Sequence, residues 1–362
     1  MTTKPFIIDS HLDLAWNALT FGRDYLQPVA VTRQQERGSD AVARNGNAMN
    51  GLPEWRSAGV ALLFATLYAA PASAPLGTAA SYETAEEAHT LYRQQLHFYH
   101  RWVDENPESL TLITTRPQLE ALIARHEQEA APPVGLILLM EGADGIRTPE
   151  EAEWWADKGV RMIGPAWSAT RYAGGTAAPG PLTPLGEALL DVMGQLGLIL
   201  DLSHLSDEGI EMALDRATGP LMASHCAARG LLPASQVPER HLSDAAIRAI
   251  AARDGVIGLP LGNGFLLDGW IDHRDRRRVT LAHVVDQIDY LCDQIGDTDH
   301  VGIGSDFDGG FGLESVPIGL ESSADLPRIG DALADRGYSD ASIYAIFGGN
   351  WRRFLRHALP AE

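Results

Sequence analysis

Short apolar runs alternate with longer amphipathic stretches along the whole chain, and this rhythm restricts the fold to strands alternating with helices. The strand-like runs are 6–10, 60–68, 135–140, 160–164, 198–202, 220–224, 255–259 and 300–305. Between them, 82–105, 117–129, 149–158, 184–196, 207–217, 243–253, 281–295 and 340–347 read as helices. Pro117, Pro149 and Pro184 stand where proline suits a first helical turn. Ser243 followed by Asp244 offers a hydroxyl cap with an early carboxylate. Eight such strands over 362 residues suggest a (β/α)8 TIM barrel, in a single domain spanning 1–362. An open doubly wound sheet is the structural alternative, but no Gly-x-Gly-x-x-Gly follows the first strand. Residues 20–50 and 174–183 read as long loops of the kind that cover or line a site.

The formal charge of −20 argues against a nucleic-acid partner, whose phosphates would be repelled. No apolar run reaches membrane-spanning length, so no membrane association is expected. The N-terminus leads straight towards the first strand without a signal-peptide core, and no hydrophobic tail for a lipid anchor ends the chain. Cys226 and Cys292 are too few for a disulfide framework, which suits a reducing, cytoplasmic setting.

Chemistry-bearing residues gather at the C-terminal ends of the strand-like runs. His11 and Asp13 follow the first, and side chains two apart on a strand point the same way. Glu141 follows Gly-Leu-Ile-Leu-Leu-Met, His204 follows Leu-Ile-Leu-Asp-Leu-Ser, His225 follows Leu-Met-Ala-Ser, and Asp306 follows Val-Gly-Ile-Gly-Ser. A lone histidine after a strand is more often a packing residue, and a lone carboxylate more often a cap. Only three of the twelve histidines take such positions, however. His89, His97, His100 and His126 fall on helix-like segments and are expected to face solvent, while His300 precedes its strand and belongs to the opposite face. In a barrel the C-terminal strand ends share one rim, where these donors suit zinc. Six are too many for one tetrahedral ion and enough for two, with Glu141 as the best bridge and a water or hydroxide between the ions. Asp306 is then free to shuttle a proton.

Asp9-Ser-His-Leu-Asp-Leu, Met140-Glu-Gly, Gly197-Leu-Ile-Leu-Asp-Leu-Ser-His-Leu-Ser, Ser224-His225, Val301-Gly-Ile-Gly-Ser-Asp-Phe-Asp-Gly and Gly348-Gly-Asn-Trp-Arg resemble, in that order, the membrane (renal) dipeptidase family of the amidohydrolase superfamily. The resemblance implies a binuclear zinc barrel that hydrolyses dipeptides, often with a D-residue at the C-terminal position. It implies that His11, Asp13 and Glu141 hold one zinc, that Glu141, His204 and His225 hold the other, and that Asp306 is the acid/base. Arg240 is similar to the arginine that grips the substrate carboxylate, a role its two-pronged guanidinium suits. Where many relatives carry a histidine that contacts the scissile carbonyl, this chain has Trp167, which has one N–H donor and cannot become a cation. The family further implies dimers or larger assemblies, and the chain resembles its soluble bacterial branch. The leading expectation is a zinc dipeptidase with a metal-bridged hydroxide. Trp167 motivates an alternative, a binuclear amidohydrolase of N-acyl amino acids, lactones or other non-dipeptide substrates, and an inactive metal-binding barrel is the third reading.

Overall fold

The computed structural model describes residues 5–73 and 81–362, so the expected leaderless N-terminus, 1–4, lies outside the described residues. Eight parallel strands form the barrel: β1 (Ile7–Leu12), β2 (Val60–Tyr68), β3 (Val134–Glu141), β4 (Val160–Gly164), β5 (Ile199–Asp201), β6 (Leu221–Met222), β7 (Ile257–Leu259) and β8 (Val301–Ile303). The sheet runs β6-β5-β4-β3-β2-β1-β8-β7, and a parallel bridge between Ala223 and Ile257 joins β6 to β7 and closes the ring. The open-sheet alternative is therefore excluded. A further short strand, Leu110–Leu112, pairs beside β3 outside the ring.

Alternation along the strands separates two apolar environments. Ile8, Leu62, Phe64, Ile137, Leu139, Met162, Ile199 and Met222 share a cluster with Trp351, Phe354 and Leu355 of the C-terminal helix, Asn350–Ala358. That helix packs its aromatic face against the barrel, with Phe64 and Trp351 ring centroids 5.0 Å apart in an edge-to-face pair. The alternate residues, such as Ile7, Leu63, Ala65 and Leu138, belong to the larger core shared with the surrounding helices. Continued two by two towards the C-terminal ends, the first series becomes polar: Thr66 and Tyr68 on β2, Glu141 on β3, Asp201 on β5. The period of two that builds the apolar layer thus also delivers the polar groups above it. Space there is tight, since a Cβ at Gly258 or Gly304 would collide with the Ser224 carbonyl and the Ser10 hydroxyl.

Most expected helices form, with shifted ends. The segment expected from residue 82 begins as a helix at Ala85 (Ala85–Glu105), because Thr84 and Glu87 make a reciprocal capping box there. Ser243 caps Asp244–Ala252 by accepting from the Ala246 N–H, as its position suggests. Two expected loops are corrected. Residues 20–50 carry helices Val29–Gln35 and Asp40–Asn45, and 174–183 lies largely in an antiparallel hairpin of Ala173–Gly175 with Ala178–Leu182. Gly and Pro obscured the hairpin, and short helices with few apolar positions obscured the others. His89 is also corrected: it is buried, with Nδ1 2.9 Å from the Gly145 carbonyl oxygen. His97 faces solvent, whereas His100 and His126 are half-buried. His300 sits before β8, its Nδ1 2.8 Å from the carbonyl oxygen of Gly255, which precedes β7.

Candidate metal centre

The ligand-type residues meet at one rim. His11 and Asp13 leave β1, whose pairing with β2 shifts register between Asp9 and Leu12, an irregularity that re-aims the strand end. Glu141 ends β3, and His204, His225 and Asp306 follow β5, β6 and β8. His204 and Asp306 have φ of 68° and 56°, the left-handed region that costs most side chains energy but suits His, Asp and Asn better than others.

Glu141 lies between two sets of donors. Its Oε2 is 3.4 Å from His11 Nε2, and its Oε1 is 3.0 Å from His204 Nε2 and 3.5 Å from His225 Nε2. His11 Nε2 is 3.8 Å from Asp13 Oδ1, and the two Nε2 atoms of His204 and His225 are 2.9 Å apart. Tetrahedral donors at about 2.0–2.1 Å from a zinc ion stand about 3.3 Å from each other, so both sets have the spacing of a ligand shell. Three overlapping groups could hold an ion: His11 with Asp13 and Glu141, Glu141 with His204 and His225, and His11 with His225 and Asp306. His11 Nε2 is buried without a hydrogen-bond partner, an orphaned ring nitrogen whose lone pair a cation would take up. Together the donor set and this orphan fit divalent metal.

A second layer orients these donors, and the sequence reading missed it. Ser224 Oγ donates to Asp201 Oδ2 at 2.5 Å and faces His225 Nδ1 at 2.8 Å and His11 Nδ1 at 3.4 Å. With its one hydrogen committed to the carboxylate, this hydroxyl can only accept from the imidazoles. Both rings then carry N–H at Nδ1 and turn Nε2 towards Glu141, the nitrogen left to bind an ion. Thr176, in the hairpin turn, lies 2.7 Å from His204 Nδ1, and Thr66 bonds Asp13 Oδ1. The available signal was the alternation itself, with Thr66 and Asp201 in register with inward positions.

Charge is divided unequally among the three histidines. Burial alone would lower His11, but Glu141, Asp13 and Asp306 raise it to about 10. Burial and Arg240 lower His204 to about 4 against the pull of Glu141, and burial with His11 and Arg240 holds His225 well below its ordinary value. Burial would raise Glu141, yet His11 and His204 hold it well below the usual carboxylate range. Asp13 is pushed up to about 7 by burial and Glu141. Burial, with Asp13 and Glu141 adding to it, raises Asp306 well above its usual value against the pull of His11 and Arg240. Among the described residues no donor is hydrogen-bonded to the Asp306 carboxylate, so its oxygens are open to the cleft.

Arg240 is 5% exposed, donates from Nη1 to the His225 carbonyl at 2.9 Å and lies over the Phe265 ring, 5.1 Å from its centroid. No carboxylate among the described residues pairs with it, leaving a buried cation with an open edge. Trp167 is half-buried beside the centre, its ring 6.1 Å from His204 and 5.2 Å from Tyr68. Trp16, Phe21 and Tyr68 continue that aromatic wall.

The sequence profile of the membrane dipeptidase family, peptidase family M19, matches residues 1–361. Among curated proteins, the dipeptidase aclJ of Aspergillus oryzae is 27% identical over 362 residues, covering 98% of this chain and 78% of that protein. A protein of the pqqA 5' region of Klebsiella pneumoniae is 32% identical over 234 residues, 62% of this chain and 82% of its own length. Among solved structures, a metallopeptidase from Rhodobacter sphaeroides, crystallised with a phosphinate mimic of L-Ala-D-Ala, superposes with a TM-score of 0.79 at 22% identity, over 98% of this chain and 100% of that one. The dipeptidase PvdM of Pseudomonas aeruginosa, described as probable, gives a TM-score of 0.77 at 21% identity, over 98% and 96%. A profile match over nearly every residue, on a barrel whose rim gathers the expected donors, makes this chain a member of the membrane dipeptidase family, peptidase family M19.

Proposed function

We propose that the protein is a zinc dipeptidase with two ions, one held by His11, Asp13 and Glu141 and the other by Glu141, His204 and His225. The observation that carries this reading is that each Glu141 oxygen faces its own histidine set. When bound, the ions would polarise the scissile carbonyl and lower the pKa of a water between them. Asp306 takes up a proton on its open carboxylate and returns it to the leaving amine. Arg240 accepts the substrate carboxylate through its unpaired guanidinium edge. Arg240 follows β6, while the aromatic wall rises from β1, β2 and the segment after β4, so the two recognition elements come from different parts of the rim. The L-Ala-D-Ala mimic bound by the Rhodobacter protein supports trying a C-terminal D-residue. Two unpaired cysteines, and no helix among the described residues long and apolar enough to cross a membrane, support a cytoplasmic setting.

The test is hydrolysis of L,L- and L,D-dipeptides by zinc-loaded protein. Turnover of either supports the reading, and two bound zinc ions without hydrolysis of any dipeptide would sink it. The wall of Trp16, Tyr68 and Trp167 favours a second reading, in which the acyl half is apolar and the substrate is an N-acyl amino acid or another cyclic or acyl amide. Faster turnover of N-acyl amino acids than of dipeptides at equal concentration would establish that alternative.

Two further outcomes follow from the site. His11 is raised, so without a cation it holds a proton at neutral pH, and an ion must displace it. Acid therefore weakens the His11–Asp13 side by about tenfold per pH unit for each proton displaced. The lowered His204 and His225 are already neutral, so their side is nearly insensitive above about pH 5. On acidification from pH 7 to about 5.5, metal content measured after desalting is expected to fall from two ions per chain towards one. Loss of both in a single step would contradict this. Replacing Ser224 by Ala removes the acceptor for two imidazoles, and affinity in chelator competition is expected to drop about 10–100-fold. An unchanged affinity would show that Ser224 does not set the rings.

A further inference from the structure

A buried polar cluster lies against the metal centre. Asn17, Asn45 and Asp308 are fully buried, and Arg23 is 3% exposed. The Arg23 guanidinium makes four hydrogen bonds. Nε and Nη2 donate to the two Glu36 oxygens at 2.9 and 3.1 Å, Nη2 also to the Gly46 carbonyl at 2.8 Å, and Nη1 to Asn17 Oδ1 at 3.2 Å, while Nη1 also stands 3.1 Å from Asp308 Oδ1 as an ion pair. The Asp308 carboxylate also accepts from the Met49 N–H at 2.8 Å and the Asn50 amide at 3.1 Å. A buried network this dense restricts its members to few arrangements, although Asn45 Oδ1 is left without a partner.

Its centre is Asn17. The Asn17 side-chain nitrogen donates to the Asp13 carbonyl at 2.9 Å and to the Asp308 carbonyl at 2.9 Å. The same Asp308 carbonyl accepts from Asn45 at 2.9 Å, and Asn17 Oδ1 accepts in turn from Arg23 and Asn45. One amide therefore ties the turn after β1, which carries Asp13, to the turn after β8, which carries Asp306. That second turn is strained, since both Asp306 and Asp308 have positive φ, at 56° and 68°.

We propose that Asn17 is a positioning residue for the reaction, fixing the proton carrier Asp306 relative to the metal ligand Asp13, with Arg23 and Asn45 locking the amide. Two residues of the segment that reads as a loop in sequence, Arg23 and Asn45, thereby act on catalysis without touching substrate. This rests on the reading that Asp306 carries the proton. A displacement of about 1 Å in a reacting group is enough to cost about 10²-fold in rate.

The experiment compares Asn17→Asp, Asp306→Asn and Arg33→Met in zinc-loaded protein on L-Ala-L-Ala and L-Ala-D-Ala. Asn17→Asp keeps the shape but replaces the doubly donating nitrogen with an acceptor. The expected result is a loss of about 10–100-fold in kcat, with KM within about threefold, metal content unchanged and an altered acid limb of the pH profile. Arg33 anchors the same segment to the Ala48 and Glu321 carbonyls outside the network. Arg33→Met is expected to lower Tm while leaving kcat within about twofold. If Asn17→Asp loses only thermal stability, as Arg33→Met does, the positioning role is overturned. If Asp306→Asn retains turnover, the underlying reading falls instead. Should Asn17→Asp fail to fold, Asn45→Ser, which removes the second donor to the Asp308 carbonyl, is expected to show the same kcat loss to a smaller degree, and unchanged kcat there overturns the role. Should neither dipeptide be cleaved, crystal structures decide: an Asp306 carboxylate moved by about 1 Å in Asn17→Asp supports the role, and superposition with the parent refutes it.

Discussion

Replacing Asp306 by Asn is expected to lower kcat by about 10³-fold while leaving both ions bound and KM within about threefold. The amide has nearly the volume of the carboxylate and still reaches the cleft between His11 and His225, but it cannot take up a proton. The parent enzyme should show an acid limb as well. Its base form is lost as pH falls through a value that burial, together with Asp13 and Glu141, raises well above the usual carboxylate range. That limb should vanish from the residual rate of the variant. Steady-state kinetics from about pH 5 to 9, with metal content on the same samples, make the check. A variant that keeps the limb would place the essential proton elsewhere.

Glu141→Gln is expected to have the larger effect, because one side chain serves both donor sets. Gln carries no charge to offset two cations, and only one of its two terminal atoms can act as a ligand. The variant should bind well under one ion per chain and fall below detectable turnover, with unaltered far-ultraviolet circular dichroism. Thermal scans supply an independent readout. A ligand at about 1,000 times its Kd stabilises the folded state by about 4.1 kcal/mol, so zinc should raise the Tm of the parent by several degrees and leave the variant unmoved. Without the Glu141 charge His11 also loses its strongest attractive partner, so the metal-free variant should hold less of that proton at neutral pH. A Glu141→Gln protein that still binds two ions would remove Glu141 from the bridging role.

The barrel and its rim were legible in sequence for one physical reason: alternation. Parallel strands buried on both faces read as continuous apolar runs, and ligand-type residues just beyond them stand out against apolar neighbours. His11, Glu141, His204, His225 and Asp306 stand out that way, and the fold brings them together at one rim. What alternation does not reveal is which polar residue supports another across the barrel. Ser224 meets Asp201 over 23 positions, and Asn17 meets Asp308 over 291, contacts that only the pairing of β5 with β6 and of β1 with β8 creates. His89 shows the reverse failure: a polar residue on a polar-looking helix is buried because a distant carbonyl, that of Gly145, waits for it. Segment 20–50 was misread because its helices are held largely by buried hydrogen bonds, which leave no periodic signature. Trp167 lies 6.1 Å from the His204 ring, and its chemistry waits on the choice between peptide and acyl substrates.

The left-handed backbone at His204 and Asp306 also bears on how such an enzyme would decay. At both positions the conformation admits Asn, Asp, His or Gly far more readily than β-branched or bulky residues. Neutral drift after loss of selection should therefore pass first through Asn or Gly, which keep the turn intact while removing the donor. The lineage would then accumulate well-folded barrels with silent rims before it lost the fold. In a saturation library, folded but inactive members should concentrate at these two positions, and valine or isoleucine there should be depleted for abundance as well as for activity.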